Sequence, residues 1–437
     1  MNDKSKTNRI VAVVITGVLL TFPLRDAFGF TISGIPFRLA EIWLGLSALA
    51  LLMCSKWRYD KASIGLIGIL ALNFINTIIG IGYSGGKIVS SFAFKYLARN
   101  LLYLFALAVI LGVRYEVKEQ QIDQLMKFMV WVQLCASIYT VLTDKFLKFG
   151  QLVSTHDNEP ANYINISGHL IDRLKGTCSE PGYLAPLIAL PLYYFIVKYC
   201  AKDSNQNKQI QALFYIAILA FISLFSFSSA VYLFDLIVVL LALAKIKQSI
   251  RKYILIFLGL VLFIGVVVLV AANETARKFV CSNFIDKINY YVFRNDSIDF
   301  NYSAVDRAQH VDLAKQLIRK STIFELLFGR GTGSYYFNSL REDSFLQSNV
   351  SEANSIYLSS LVDRGIIGFA CVITTFILCY KRWIRSDIYS STLFIGIIMQ
   401  GGHWFITGNY WLYYFWAEVI LLIGYYKYKT SNKVCLQ

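Results

Sequence analysis

The chain has 437 residues, 56% of them hydrophobic and only 16% charged, with a mean hydropathy of +0.53. Soluble globular domains carry roughly 25% charged residues, so an ordinary water-soluble enzyme is excluded. Lys and Arg total 42 against 27 Asp and Glu, a formal net charge of +15 that suits an anionic membrane, an anionic substrate or nucleic acid; the apolar runs decide for the membrane and against nucleic acid.

A helix needs about 20 apolar residues to cross a bilayer. Such runs number about twelve, near 10–24, 36–54, 63–82, 92–113, 122–142, 183–200, 210–227, 230–244, 253–272, 356–380, 388–406 and 409–426. The first has charged Arg25 and Asp26 after it and no small-residue cleavage site, so it reads as a retained helix rather than a signal peptide. Lys and Arg collect in alternate connections: Lys4 to Arg9, Lys56 to Lys61, Arg114 and Lys118, Lys198 to Lys208, Lys245 to Lys252, Lys381 to Arg385, and the tail from Lys427. The intervening short connections hold little beyond Arg25 and Lys87. The positive-inside rule then puts both termini in the cytoplasm and two long loops, 143–182 and 273–355, outside. The expected fold is a single all-α polytopic membrane domain over 1–437.

Within the second loop, Val305, Ala308, Val311, Ala314, Leu317, Ile318, Phe324, Leu327 and Phe328 recur at spacings of three and four, which predicts an amphipathic helix over 304–328. Gly329, Gly331 and Gly333 suit the turn that follows it.

No phosphate-cradling P-loop, metal-binding H-E-x-x-H, paired C-x-x-C or D-x-D pair is present, so no metal or other cofactor is expected. An anionic diphosphate would have to be met by outer-loop arginines, whose planar fork binds phosphate oxygens two at a time. Arg173, Arg307 and Arg330 are the first candidates, with Arg277 and Arg364 in reserve. Solvated loop charges are the bland alternative for each. Glu352, Glu180 and His310 are candidates for a general base, against capping or Arg-pairing roles for the two acids and a plain solvated helix position for the His. Tyr335 and Tyr336 offer faces for a sugar to stack on, or anchors at the membrane interface, where Trp404, Trp411 and Trp416 are also expected.

The order VDRAQHVDLAKQL, LFGRGTG and EANSIYLSSLVDRGIIG in the second loop resembles the superfamily of Wzy-type O-antigen polymerases and O-antigen ligases, and DRLKGTCSEPGYLA closing the first loop is similar to polymerase-like members. The layout matches over the whole chain, the motifs over about 60 residues. The resemblance implies a GT-C-like, metal-independent inverting glycosyltransferase in the bacterial inner membrane, with its site facing the periplasm. It would transfer a growing glycan from undecaprenyl diphosphate onto another lipid-linked repeat unit, with Asn354 contacting glycan and a chain-length regulator protein as partner. Ligase members carry a His just before the Asn; this chain has Ala353 there and Glu352 one residue earlier, which favours polymerase over ligase. A flippase for lipid-linked oligosaccharide is a further alternative, though the cations here concentrate in one asymmetric loop rather than a two-fold cavity.

Two pairs of charges within the spans stand at helical spacing. Arg38 and Glu41, three apart, suit an internal ion pair; Lys95 and Arg99 would lie in the outer half. Cys178 and Cys281 are the cysteines of the two outer loops, joined by a disulfide or left as free thiols.

Overall fold

The structure is a computed structural model that describes residues 3–24, 26–32, 35–53, 57–113, 115–145, 163–166, 169–178, 180–201, 206–247, 249–274, 277, 280–281, 285, 302–341, 353–406 and 413–434. Each of the twelve apolar runs is a helix: α1 (Asp3–Thr21), α2 (Leu39–Leu52), α3 (Lys61–Tyr83), α4 (Ser90–Gly112), α5 (Glu119–Lys145), α6 (Ala185–Cys200), α7 (Gln206–Ser226), α8 (Ser229–Lys245), α9 (Ile250–Ala272), α13 (Ile356–Tyr380), α14 (Ile388–His403) and α15 (Tyr413–Val434). The second loop adds α10 (Tyr302–Arg319), α11 (Ile323–Phe328) and α12 (Ser334–Ser339). Among the described residues six helical segments are long and apolar enough to cross a membrane, namely Lys61–Tyr83, Ser90–Gly112, Glu119–Leu142, Pro181–Cys200, Gln206–Ser226 and Ile356–Tyr380, the character of a helical membrane protein.

Local chemistry sets where the helices start. The Asp60 carboxylate accepts from Ser63 N (2.7 Å) at the head of α3, and Asp387 accepts from Ser390 N (2.9 Å) at the head of α14, each satisfying one of the donors a helix N-terminus leaves open. The run expected at 36–54 begins later. Phe30–Ile32 and Ile35–Phe37 form an antiparallel hairpin with Phe30 opposite Phe37, because alternating apolar residues broken by Pro36 favour a strand over a helical turn. A second hairpin pairs Tyr163–Ile166 with His169–Asp172.

Helix α6 is the axis of the bundle. It is apolar on every side and buried along nearly its whole length, as such a helix must be. It packs on α5, α7, α8, α9 and α14, while α13 lies against α3, α10, α11, α12, α14 and α15. Trp404 and Trp416, expected at the membrane interface, are fully buried in the central core; Trp404 meets Phe376 and Phe415, and Trp416 meets Phe415 and Tyr103. Trp411 lies outside the described residues.

The two ends of the bundle are distinct. At one, Arg58 N reaches Gly112 O (2.7 Å), Val117 N reaches Gly424 O (3.2 Å), Lys429 pairs with Asp387 (3.0 Å) and Arg382 with Asp60 (3.8 Å). These are connections of the Lys- and Arg-rich set. At the other end, Thr177 Oγ1 donates to Pro23 O (2.7 Å), Leu174 N to Phe225 O (2.9 Å) and Val89 N to Gly333 O (3.2 Å).

Candidate functional site

The exits of the two long loops meet at the last turn of α14. The His403 ring donates through Nε2 to Gly182 O (3.1 Å), and Trp404 O accepts from Ile356 N (3.0 Å). Adjacent residues therefore hold the end of the first loop and the end of the second. Because the Gly182 carbonyl can only accept, Nε2 carries the proton in the neutral ring.

Arg173 and Glu180 belong to this end. Arg173 donates through Nε to Ser226 O (3.0 Å) and through Nη2 to Phe227 O (2.8 Å), so its fork closes the carbonyl end of α7. Burial lowers its pKa, and neighbouring Tyr232 and Glu180 oppose that shift. Glu180 is half-buried at the head of the short 3₁₀ turn Pro181–Leu184, where its carbonyl accepts from Tyr183 N (3.1 Å). Asn354, half-buried just ahead of α13, has a left-handed φ of 51°.

Nine residues after Ile356, about 13 Å of helix rise, α13 breaks at Gly365 (φ 65°, ψ −164°). The break frees carbonyls that a continuous helix would satisfy, and the neighbouring elements take them up. Val362 O accepts from Arg330 N (2.8 Å), Asp363 O from Gly331 N (3.1 Å) and Arg364 O from Asn76 Nδ2 (2.8 Å). The glycine turn at 329–333 is thus bonded directly to the broken helix. Both sides must be glycine: a Cβ on Gly365 would lie 2.5 Å from Gly329 N, and one on Gly329 would lie 2.2 Å from Arg364 N.

Side chains complete the junction. The buried Asp363 carboxylate accepts from Gly333 N (3.0 Å), Ser334 Oγ (3.1 Å) and Tyr335 N (2.9 Å), capping α12 from a neighbouring helix. The buried Arg364 guanidinium donates to Asn73 Oδ1 (3.1 Å) and Ser360 Oγ (2.5 Å) and lies 5.1 Å from the Tyr96 ring centre. Asn73 is held in turn by Asn100 (2.9 Å). Arg330 pairs with Glu325 (3.4 Å), and Glu325 also accepts from Thr322 N (2.8 Å) in a capping box at the head of α11.

That box splits the helix expected over 304–328 into α10 and α11. The stripe of α10 is buried at Ala308, Ala314 and Leu317, and His310 joins it. His310 is fully buried, with Nδ1 2.7 Å from Tyr335 Oη, whereas Arg307 is exposed. The two do not share a face, and His310 is not a solvated residue either. Tyr335 is fully buried, so its ring offers no sugar-stacking face; half-buried Tyr336 sits edge-on to Phe92. Arg277 is exposed. Glu352 lies outside the described residues.

Arg38 pairs with Asp26 (2.8 Å) rather than with Glu41. Glu41 instead accepts from Arg38 N (3.2 Å) as a helix cap and from Tyr103 Oη (3.2 Å), and faces Arg99 at 3.9 Å. Cys178 and Cys281 are both free thiols.

Among the favoured candidates the structure brings Arg173 and Glu180 together, and it holds Arg330 and Arg364 at the α13 break. Asp363 and His403 were not singled out from sequence as site residues. The sequence signal for Asp363 is its place beside Arg364 in the EANSIYLSSLVDRGIIG segment; His403 has only its position in an outer connection. No protein-family model and no curated protein matches the chain.

Proposed function

We propose that the chain is an O-antigen-type glycan polymerase of the bacterial inner membrane. It transfers a glycan from an undecaprenyl diphosphate carrier to a hydroxyl of another lipid-linked repeat unit on the periplasmic side. The observation that carries the reading is the clamp at His403–Trp404, which unites the ends of both long loops and with them Arg173, Glu180 and Asn354. It is strengthened by the Gly329–Gly333 turn bonded to the α13 break, since these are the same segments whose sequences resemble the superfamily.

The acceptor hydroxyl attacks the anomeric carbon, the bond to the diphosphate breaks, and the hydroxyl proton passes to a carboxylate base. Glu180 takes that role, worth about 10²- to 10⁴-fold. Arg173, held in place by its hydrogen bonds, stabilises the charge that grows on the departing diphosphate. Arg330 and the exposed Arg307 guide the anionic carrier toward it, while the buried Arg364 holds the α13 break in position.

Deleting the gene in its host and separating the lipopolysaccharide on a gel tests the reading. Core bearing a single repeat, without a ladder, is expected. Bare core with lipid-linked polymer accumulating would assign ligation instead, and bare core with single units held on the cytoplasmic face would assign flipping. In the complemented strain, Arg173→Lys should fail to restore the ladder at normal protein levels, because an ammonium cannot span Ser226 O and Phe227 O as the fork does. A full ladder would remove Arg173 from the site.

A further inference from the structure

We propose that Glu418 and Gln400 form a binding site for one monovalent cation, a proton or an alkali ion, inside the bundle between α6, α14 and α15. Glu418 is 1% exposed and Gln400 fully buried. Among the described residues, neither Glu418 Oε2 nor either polar atom of the Gln400 carboxamide has a hydrogen-bond partner. Two other buried carboxylates show the contrast: Asp363 accepts three hydrogen bonds, and Glu41 accepts from Tyr103 and a backbone amide. Polar groups removed from water need partners, and a buried charge needs a counter-charge.

The space around Glu418 is built by the fold. Its carboxylate rests on Gly396 of α14, where a Cβ would lie 2.6 Å from Oε1 and 2.6 Å from the Leu190 side chain of α6. Gly396, Gln400 and His403 follow at spacings of four and three, one face of α14. Gln400 therefore stands one turn beyond Glu418 toward the His403 end, which makes a polar file from the loop clamp into the bundle.

Charge balance selects the occupant. The ionisable side chains of the surrounding core are Cys379 of α13, Tyr193 and Tyr194 of α6, Tyr389 and His403 of α14, Tyr103 of α4 behind Trp416, and Tyr414 and Tyr425 of α15 itself, none of them a fixed cation. Cations that these helices carry are bound elsewhere: Lys198 to Asp123, Lys429 to Glu119 and Asp387, Lys427 over the Tyr115 ring, and Arg364 to Asn73 and Ser360. One carboxylate is neutralised by one positive charge, whereas a divalent ion would leave a net charge in a low-dielectric interior. Carboxylate and carboxamide oxygens are hard ligands of the kind such ions take.

Two buried indoles report on the site, Trp416 two residues from Glu418 and Trp404 four from Gln400. Tryptophan emission of the full-length protein in lipid nanodiscs is titrated with sodium chloride against choline chloride at constant ionic strength, and with pH in choline chloride alone. The test needs no glycan substrate, so it stands or falls apart from the polymerase reading. One saturable transition is expected. A response to sodium identifies the alkali ion, and a response only to pH identifies the proton. Glu418→Gln, which is neutral without an occupant, should abolish the transition, and Gln400→Leu should shift its midpoint by about tenfold or more through loss of a buried polar contact. A flat wild-type response in both titrations overturns the proposal whether or not the variants fold, and so does a transition retained by Glu418→Gln.

Discussion

Asp363 does with one side chain what three separate caps would otherwise do. Replacing it with Ala leaves Gly333 N, Ser334 Oγ and Tyr335 N without their acceptor inside the protein, and each stranded donor costs about 1–3 kcal/mol. Asp363→Ala should therefore lower stability by roughly 3 kcal/mol or more, and Asp363→Asn by less, since a carbonyl oxygen remains; thermal unfolding in detergent measures the difference. Equal loss in the two variants would mean that charge, not acceptor geometry, holds the turn. Gly365→Ala attacks the same junction from the backbone. The left-handed φ alone costs about 1–3 kcal/mol, and the contact with Gly329 N adds to it. An unfolding midpoint equal to wild type would show that the helix break can relax. Sequence did not reveal this junction because the partners lie 28 to 30 residues apart, and a Gly-Ile-Ile-Gly run reads as the start of a span rather than as a break within one.

At the scale of elements, α11 owes its position to Glu325. Desolvation raises the Glu325 pKa, but hydrogen bonds from Thr322 and the nearby Arg330 outweigh it, so the carboxyl sits below its ordinary value. A carboxyl depressed in the folded state adds stability above its unfolded pKa, and that stability is lost as pH falls through the folded one. The α11 box and the Arg330 pair should thus persist at neutral pH and loosen below roughly pH 4. Amide exchange at Gly329, which donates to Glu325 O, should quicken over that range in wild type, and Glu325→Gln should lose the pH dependence. An exchange rate indifferent to pH once intrinsic exchange is subtracted would sink the argument. The apolar runs were legible as helices because length and composition suffice for that. What pattern could not supply was the split of 304–328, set by a Thr322–Glu325 box, or the burial of His310, set by a tyrosine 25 residues away. In the same way Arg38 finds Asp26 across a hairpin rather than Glu41 on its own helix, because the helix cap already occupies Glu41.

For the whole molecule, the contacts sort the connections onto two opposite ends. The connections rich in Lys and Arg, around Asp60, Glu119 and Asp387, meet one another at one end of the bundle, while the loop exits at Thr177, Gly182, Gly333 and Ile356 are bonded to elements at the other. The positive-inside rule assigns the first end to the cytoplasm. In a variant lacking its eight native cysteines, exposed Lys87 and Arg307 on one side and exposed Lys247 and Lys381 on the other are replaced singly by Cys. A membrane-impermeant maleimide applied to cells with a permeabilised outer membrane should label Lys87→Cys and Arg307→Cys at once, and Lys247→Cys and Lys381→Cys only after the inner membrane is breached. The reverse pattern would turn the protein over and place the loop clamp on the cytoplasmic side, opposite to the proposed site. Labelling of Arg307→Cys and Lys381→Cys from the same side would break the alternation itself, since α13, the span that lies between them, would then fail to cross.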